Sequence, residues 1–336
     1  MHSILGRRER WFLWITAIII TLASWAVGCM WLRTQWILLG LSALGVAVAF
    51  LPMPAVYFES TPPRPADNMR KLLKFPLFWI GLALLAYISV QAMNARVEIV
   101  FENGRFESNA LPYLENWPSS VLGPMGTSVL PNGRNVYGMN AWRILLILST
   151  PFLIAMGLWL NVRHRKTLRA LGWVLMINAS AMALYGVFAF LHPSSDHTIL
   201  GGIHVENGRP FGSFDYPNHA AAFMNLALGA TLALALESMH RTRRLGKSSP
   251  MPFFMLCAFI LSTGLIVDAC RTGIIVMGIL WVAFLALSIR HQRITIHKLG
   301  IAGIIAALFA LGGFSVIESL DHHRSALAIT YHTQES

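Results

Sequence analysis

The sequence predicts an all-α, polytopic integral membrane protein of about nine transmembrane helices with loops on its outer face. Three observations lead there. Of the 336 residues, 55% are hydrophobic and only 12% charged, about half the charged share of an ordinary soluble domain. Apolar runs of about 18 residues or more recur along the whole chain, and a run of that length crosses a bilayer as a helix. Basic residues fill every second connection between these runs, the pattern left by charge-directed insertion.

Each element follows in chain order. Arg7, Arg8 and Arg10 precede the first run, 11–31. It has no small-residue cleavage site, so it reads as a retained helix rather than a signal peptide. Arg33 and Thr34 turn into the second run, 35–53. The next connection carries Arg64, Arg70, Lys71 and Lys74, and its prolines 62, 63 and 65 bar a long helix there. The third run, 75–93, leads into a polar outer loop, 94–140. The fourth run, 141–161, is followed by Arg163, Arg165, Lys166 and Arg169. The fifth, 170–191, opens into a short polar loop, and the sixth is 218–239. Arg241, Arg243, Arg244 and Lys247 separate the sixth from the seventh, 251–269. A tight turn, Cys270-Arg271-Thr272-Gly273, enters the eighth, 273–289. Arg290, Arg293 and Lys298 precede the ninth, 299–317, and a polar tail follows. Two regions result: 1–169 with helices one to four and the loop 94–140, and 170–336 with helices five to nine.

With the N-terminus cytoplasmic, the inner segments hold 18 of the 26 Lys and Arg residues, as the positive-inside rule requires. The net charge of +11 therefore reads as topology in a lipid bilayer, not as a nucleic-acid surface. The loop 94–140, the loop before the sixth run, the Cys270 turn and the C-terminal tail all fall outside. Cys29, Cys257 and Cys270 lie in or at the ends of apolar runs, without metal-ligand spacing or a disulfide framework.

The stretch Glu206 to Ala222, ENGRPFGSFDYPNHAAA, concentrates chemistry at the outer surface. It supplies Arg209, the turn residue Gly212, Asp215, Pro217, Asn218 and His219. Pro217 suits a first helical turn, where its missing N–H costs nothing. Asp215 or Asn218 can accept from the open N–H groups there. A helix N-terminus with Arg209 beside it also suits an anion. Asp268 and Arg271, three apart, would share a helical face and pair. Asn-Gly-Arg occurs at 103–105, 132–134 and 207–209; alternation in Val97-Glu98-Ile99-Val100-Phe101 makes the first copy a hairpin. His219 is the nearest general base in sequence. His192, His197, His204, His322, His323 and His332 are irregularly spaced, so no metal and no other cofactor is expected. Trp11, Trp14, Trp25, Trp31 and Trp36 read as an interfacial belt. Asn178, Ser180 and Asn225 read as partners in interhelical hydrogen bonds.

Arg209-x-x-Gly212-Ser213-Phe214-x-x-Pro217-Asn218-x-x-Ala221, entering a membrane helix, resembles a signature of the O-antigen ligase and polymerase superfamily. Cys270-Arg271-Thr272-Gly273 resembles its second signature, with cysteine in place of the usual serine. Arg324, with Ala326, Leu327, Ala328 and Tyr331, resembles the start of a third segment. The resemblance covers mainly 170–336. It implies a multi-pass inner-membrane glycosyltransferase with its C-terminus periplasmic. The donor would be a glycan on a polyprenyl diphosphate, and the acceptor lipid A core or another glycan. It also implies that Arg209 and Arg271 grip the diphosphate as catalytic groups, with Arg324, Gly212, Asn218, Asp268 and His219 around the substrate. A guanidinium is always charged and matches phosphate in two hydrogen bonds, so this chemistry needs no metal. The chain ends at Ser336, about where the family's large outer loop begins, so a truncated or non-catalytic subunit is the alternative expectation. A polymerase and a transporter or permease are the others; a permease would carry paired broken helices and charges at the midplane.

Overall fold

The computed structural model describes residues 7–29, 31–51, 65–93, 97–102, 105–110, 141–192, 198–200, 203–204, 210–245 and 250–292. Nearly all of these are helical. Among the described residues, six helices are long and apolar enough to cross a membrane, or seven if one bent pair counts as a single span, as expected of a multi-pass membrane protein. The ninth run lies outside the described residues. The chain forms two compact units, Met1–Ala23 with Cys29–Leu171, and Ser24–Gly28 with Gly172–Ser336.

In the first unit, α1 spans Arg7–Trp25. The sequence carries this run on to residue 31, but the helix stops short. Val27, Gly28 and Cys29 all have left-handed backbone, at φ 53°, 57° and 64°, which a right-handed helix cannot continue. Beyond its charged first turn, α1 is about 22 Å long at 1.5 Å per residue, below the roughly 30 Å of a hydrocarbon core. With Arg7, Arg8, Glu9 and Arg10 at its start, α1 is not among the candidate spans. α2 (Leu32–Ala47) runs into a 3-10 turn, Val48–Phe50, and the two make one span. The proline-rich connection holds a short helix, α3 (Pro65–Leu73), whose proline stands at the first helical position. α4 (Pro76–Met93) follows at a bend of 74°. α5 (Ala141–Asn161) matches the fourth run. The hairpin predicted at the first Asn-Gly-Arg is present: β1 (Val97–Glu102) pairs antiparallel with β2 (Arg105–Ala110), Glu102 opposite Arg105. The other two copies lie outside the described residues.

α6 (Arg165–Leu191) starts five residues before the apolar run does, and Glu9 is the reason. Its carboxylate, 3% exposed as a residue, accepts from the Arg163 and His164 N–H groups at 3.1 and 3.0 Å. It also accepts from the Thr167 hydroxyl and lies 2.6 Å from His164 Nδ1. A helix start has open N–H groups and a partial positive charge, and here a carboxylate from α1 satisfies both. Burial alone would push the Glu9 carboxyl up. The bonds from Thr167, His164 and Arg163 outweigh that and hold it below the usual carboxylate range.

The second unit is built on the rest of α6, α7 (Pro217–Leu245), α8 (Met251–Asp268) and α9 (Arg271–Gln292). A second short hairpin, β3 (Thr198–Ile199) with β4 (Ile203–His204), lies between α6 and α7. Met176, Ala179, Met182 and Ala183 of α6 are buried, with Ala220, Ala221, Met224, Ala227 and Leu228 of α7 and Phe254, Cys257, Ala258, Leu261 and Leu265 of α8. Helical spacing of small residues among large ones lets the backbones approach, as membrane helices require. On α9, Ile275, Ile279 and Val282 stand 64%, 61% and 66% exposed along one stripe. An apolar stripe facing outward suits lipid, not water. Trp11, Trp14, Trp31 and Trp36 are all exposed, which an interfacial belt requires. The belt reading fails for Trp25, whose indole N–H donates to Asn178 Oδ1 at 2.8 Å. Asn178 in turn donates to Ser24 Oγ at 2.7 Å, an interhelical network of the kind expected. Ser180 is buried with its hydroxyl toward the Cys257 thiol of α8. The three cysteines are free thiols.

α8 ends at Ala269, which caps it in the left-handed conformation at φ 56°, its N–H on Ile266 O at 3.1 Å. A Cβ is strained there and glycine is not. Ala269→Gly is expected to raise stability by about 1 kcal/mol, read as a higher unfolding midpoint of the detergent-solubilised protein.

Candidate functional site

The first signature folds as a plug. Phe211 and Phe214 exchange both backbone hydrogen bonds at 3.0 Å, closing a two-residue turn on Gly212 and Ser213. Gly212 sits at φ 61°, the left-handed first position that favours glycine in such a turn. A Cβ on it would lie 3.2 Å from Met182 Cγ and 3.3 Å from Met182 O. Both phenyl rings are buried in the core of the second unit. Phe211 fills the space over Gly186, where a Cβ would come within 2.5 Å of its ring. Ser213 is fully buried and its hydroxyl donates to Ser24 O. The alternation of pattern at 210–214 thus anchors the segment, so that α7 begins at Pro217 as the sequence predicts. The Tyr216 carbonyl receives the His219 and Ala220 N–H groups at 3.1 and 3.3 Å.

The second signature lands on that helix start. Cys270 is the N-cap of α9. Its sulfur accepts from the Gly273 N–H at 3.4 Å, and its carbonyl accepts from Ile274 N at 3.0 Å. The same thiol donates to Asn218 Oδ1 at 3.1 Å. Asn218 is thus committed to the neighbouring turn. Seven residues further along α7, on the same face, Asn225 Nδ2 donates to Gly273 O at 3.0 Å. A Cβ on Gly273 would lie 2.7 Å from Ala221 Cβ, so only glycine allows this approach. Two segments about 50 residues apart are therefore clamped through Asn218–Cys270 and Asn225–Gly273. The N-termini of α7 and α9 stand side by side, and both direct N–H groups and positive dipole ends to one surface.

Arg271 is the first residue of α9 and is exposed. Asp268 is the last residue of α8. The expectation that these two share a helical face and pair does not hold. Ala269 ends α8 between them, and both Asp268 carboxylate oxygens are buried without a hydrogen-bond partner among the described residues. His219 is exposed, its ring tilted against Tyr216 at 5.8 Å; no carboxylate pairs with it among the described residues. Arg209 and Arg324 lie outside the described residues, as do His197, His322, His323 and His332. The structure therefore brings Asn218, Arg271 and the Gly212 turn into one unit and leaves Asp268 apart from Arg271. Among the described residues no group of His, Cys, Asp or Glu is arranged to hold a metal ion.

Sequence reasoning missed the part played by Cys270, which it read only as a departure from serine. The signal lay in its position: Cys270 stands where serine is usual, immediately before an apolar helical run, which is the place of an N-cap. Cys270→Ser is expected to keep the clamp and strengthen the cap. Cys270→Ala is expected to cost about 1 kcal/mol, and the ordering Ser ≥ Cys > Ala in thermal midpoint checks it. No family model, curated protein or solved structure matches the chain.

Proposed function

We propose that this chain is a membrane glycosyltransferase of the O-antigen ligase type. It would take a glycan from a polyprenyl diphosphate and transfer it to lipid A core or another glycan at the periplasmic face of the inner membrane. The observation that carries the reading is the Asn218–Cys270 contact, which joins two separate signature segments at one surface. There Arg271 stands on a helix start, next to a second helix start, and Arg209 lies just upstream of the Gly212 turn in sequence. In such a transfer, negative charge develops on the leaving diphosphate. Fixed guanidinium groups and helix N-termini stabilise it without having to reorganise.

The test is complementation of a ligase-deficient Gram-negative host, with membrane insertion confirmed and lipopolysaccharide resolved on a gel. The expected result is a long-chain ladder that disappears in Arg209→Ala and Arg271→Ala. A ladder that survives both substitutions would overturn the assignment of these arginines. Failure of the intact chain with several donor glycans would overturn the transferase reading.

A further inference from the structure

We infer that Arg8, Lys71 and Arg163, in the first unit, form a binding site for a phosphate monoanion, the headgroup of an anionic phospholipid. Three separate segments supply the cations: α1, α3 and the link between α5 and α6. Two are held by the fold. The Arg8 guanidinium donates to Leu51 O, and Lys71 Nζ donates to Trp159 O at 2.6 Å. Lys71 also lies 5.3 Å from the centre of the Trp159 ring. Arg163 is placed by its backbone, whose N–H is bound to Glu9, leaving its exposed side chain to reach outward. Its N–H is bound to the residue next to Arg8, and Lys71 Nζ is bound to the carbonyl four residues before it, so the three cations share one end of the unit.

Like charges gathered this way repel. None of the three makes an ion pair among the described residues. Glu9, the carboxylate beside them, is already committed to the start of α6 and His164. The Arg8 Nε–H is buried and has no acceptor among the described residues. Burial, and then repulsion from Arg163, disfavours the charged form of Arg8. An anion with several oxygen acceptors removes all three costs together: it screens the repulsion, accepts from the spare N–H groups and bridges three segments. The surroundings point to a lipid as its source. Trp159 stacks on Phe75 at 4.2 Å and is itself exposed, as is Trp79. Aromatic rings of this kind sit at headgroup depth, and basic pockets between membrane helices take anionic headgroups. Phosphate free in solution presents the same oxygens, so the experiment separates the two sources.

The purified full-length chain in neutral detergent is titrated with phosphatidylglycerol, phosphatidylcholine or inorganic phosphate while its thermal midpoint is followed. Phosphatidylglycerol is expected to raise the midpoint saturably at lower concentration than inorganic phosphate, and phosphatidylcholine to leave it unchanged. Arg163→Gln removes an exposed side chain with no bond of its own in the fold, so the variant keeps its structure. It is expected to weaken phosphatidylglycerol binding about fivefold, as loss of one surface cation does. Arg290→Gln, an exposed cation in the second unit, is expected to bind as the wild type does. Saturation by inorganic phosphate at the lower concentration would retain the site and overturn the lipid as its source. No stabilisation by either anion, or equal binding by Arg163→Gln and the wild type, would overturn the site.

Discussion

Arg271→Ala is expected to lower the proposed glycan transfer about 10²–10³-fold, the cost of removing one fixed group if it stabilises charge in the transition state. Arg271 is exposed at the first position of α9, so its loss leaves the core untouched. Protein level and thermal midpoint should therefore match the wild type. In the proposed transfer, charge on the diphosphate would grow as the glycosidic bond breaks, so kcat and kcat/KM should fall together, the mark of an interaction made in the transition state. Arg271→Lys is expected to recover only part of the loss, since an ammonium cannot present two parallel donors to a phosphate. Thr272→Ala, the exposed neighbour, should stay within about twofold. The measurement is the initial transfer rate from a polyprenyl diphosphate-linked donor in membranes or detergent. A rate unchanged in Arg271→Ala would remove Arg271 from the mechanism.

Glu9→Ala is expected to destabilise the first unit by about 2–4 kcal/mol, because it takes the acceptor from the buried Thr167 hydroxyl and from the part-buried N–H groups at the start of α6. The carboxylate serves the Arg163 and His164 N–H groups, the Thr167 hydroxyl and the His164 ring together. Glu9→Gln should cost less, since its carbonyl still accepts, but its amide opposes the donors at the start of α6. The pH dependence follows from the lowered carboxyl pKa in the fold. A group whose folded pKa is depressed contributes fully above its unfolded value, about 4.3 for Glu. That contribution is lost as pH falls through the lower folded value. Unfolding midpoints measured from pH 7 to 3 should drop at the acid end in the wild type and drop less in Glu9→Gln.

Much of the helical layout was legible because a bilayer demands it. Segments such as 141–161 and 251–269 must satisfy their backbone internally and present apolar surface, so length and composition are enough to place them. The first hairpin was legible for a different reason: Asn-Gly supplies the turn and alternation supplies the strands. The first run failed because apolar composition continues past Trp25 while the backbone turns left-handed at Val27, Gly28 and Cys29. Nothing in Ala-Val-Gly-Cys-Met forbids a helix. The break is compatible with the packing of Phe214 on Gly28, where a Cβ would lie 2.5 Å from the ring. The pairing of Asp268 with Arg271 failed for another reason: a three-residue spacing gives a shared face only within one helix, and the helix ends at Ala269, just before the turn that the sequence itself places at Cys270.

By itself the sequence determined which segments are apolar enough to cross a membrane and where their basic ends fall. These are properties of composition along a line, and a hydrocarbon solvent reads them directly. Only the tertiary structure decided that Cys270 bonds to Asn218, that Asn225 holds Gly273 and that Glu9 closes the start of α6. Each of these joins residues far apart in the chain. Each is selected because a buried donor or a helix end must find a partner, and that need can be met only once the helices have packed.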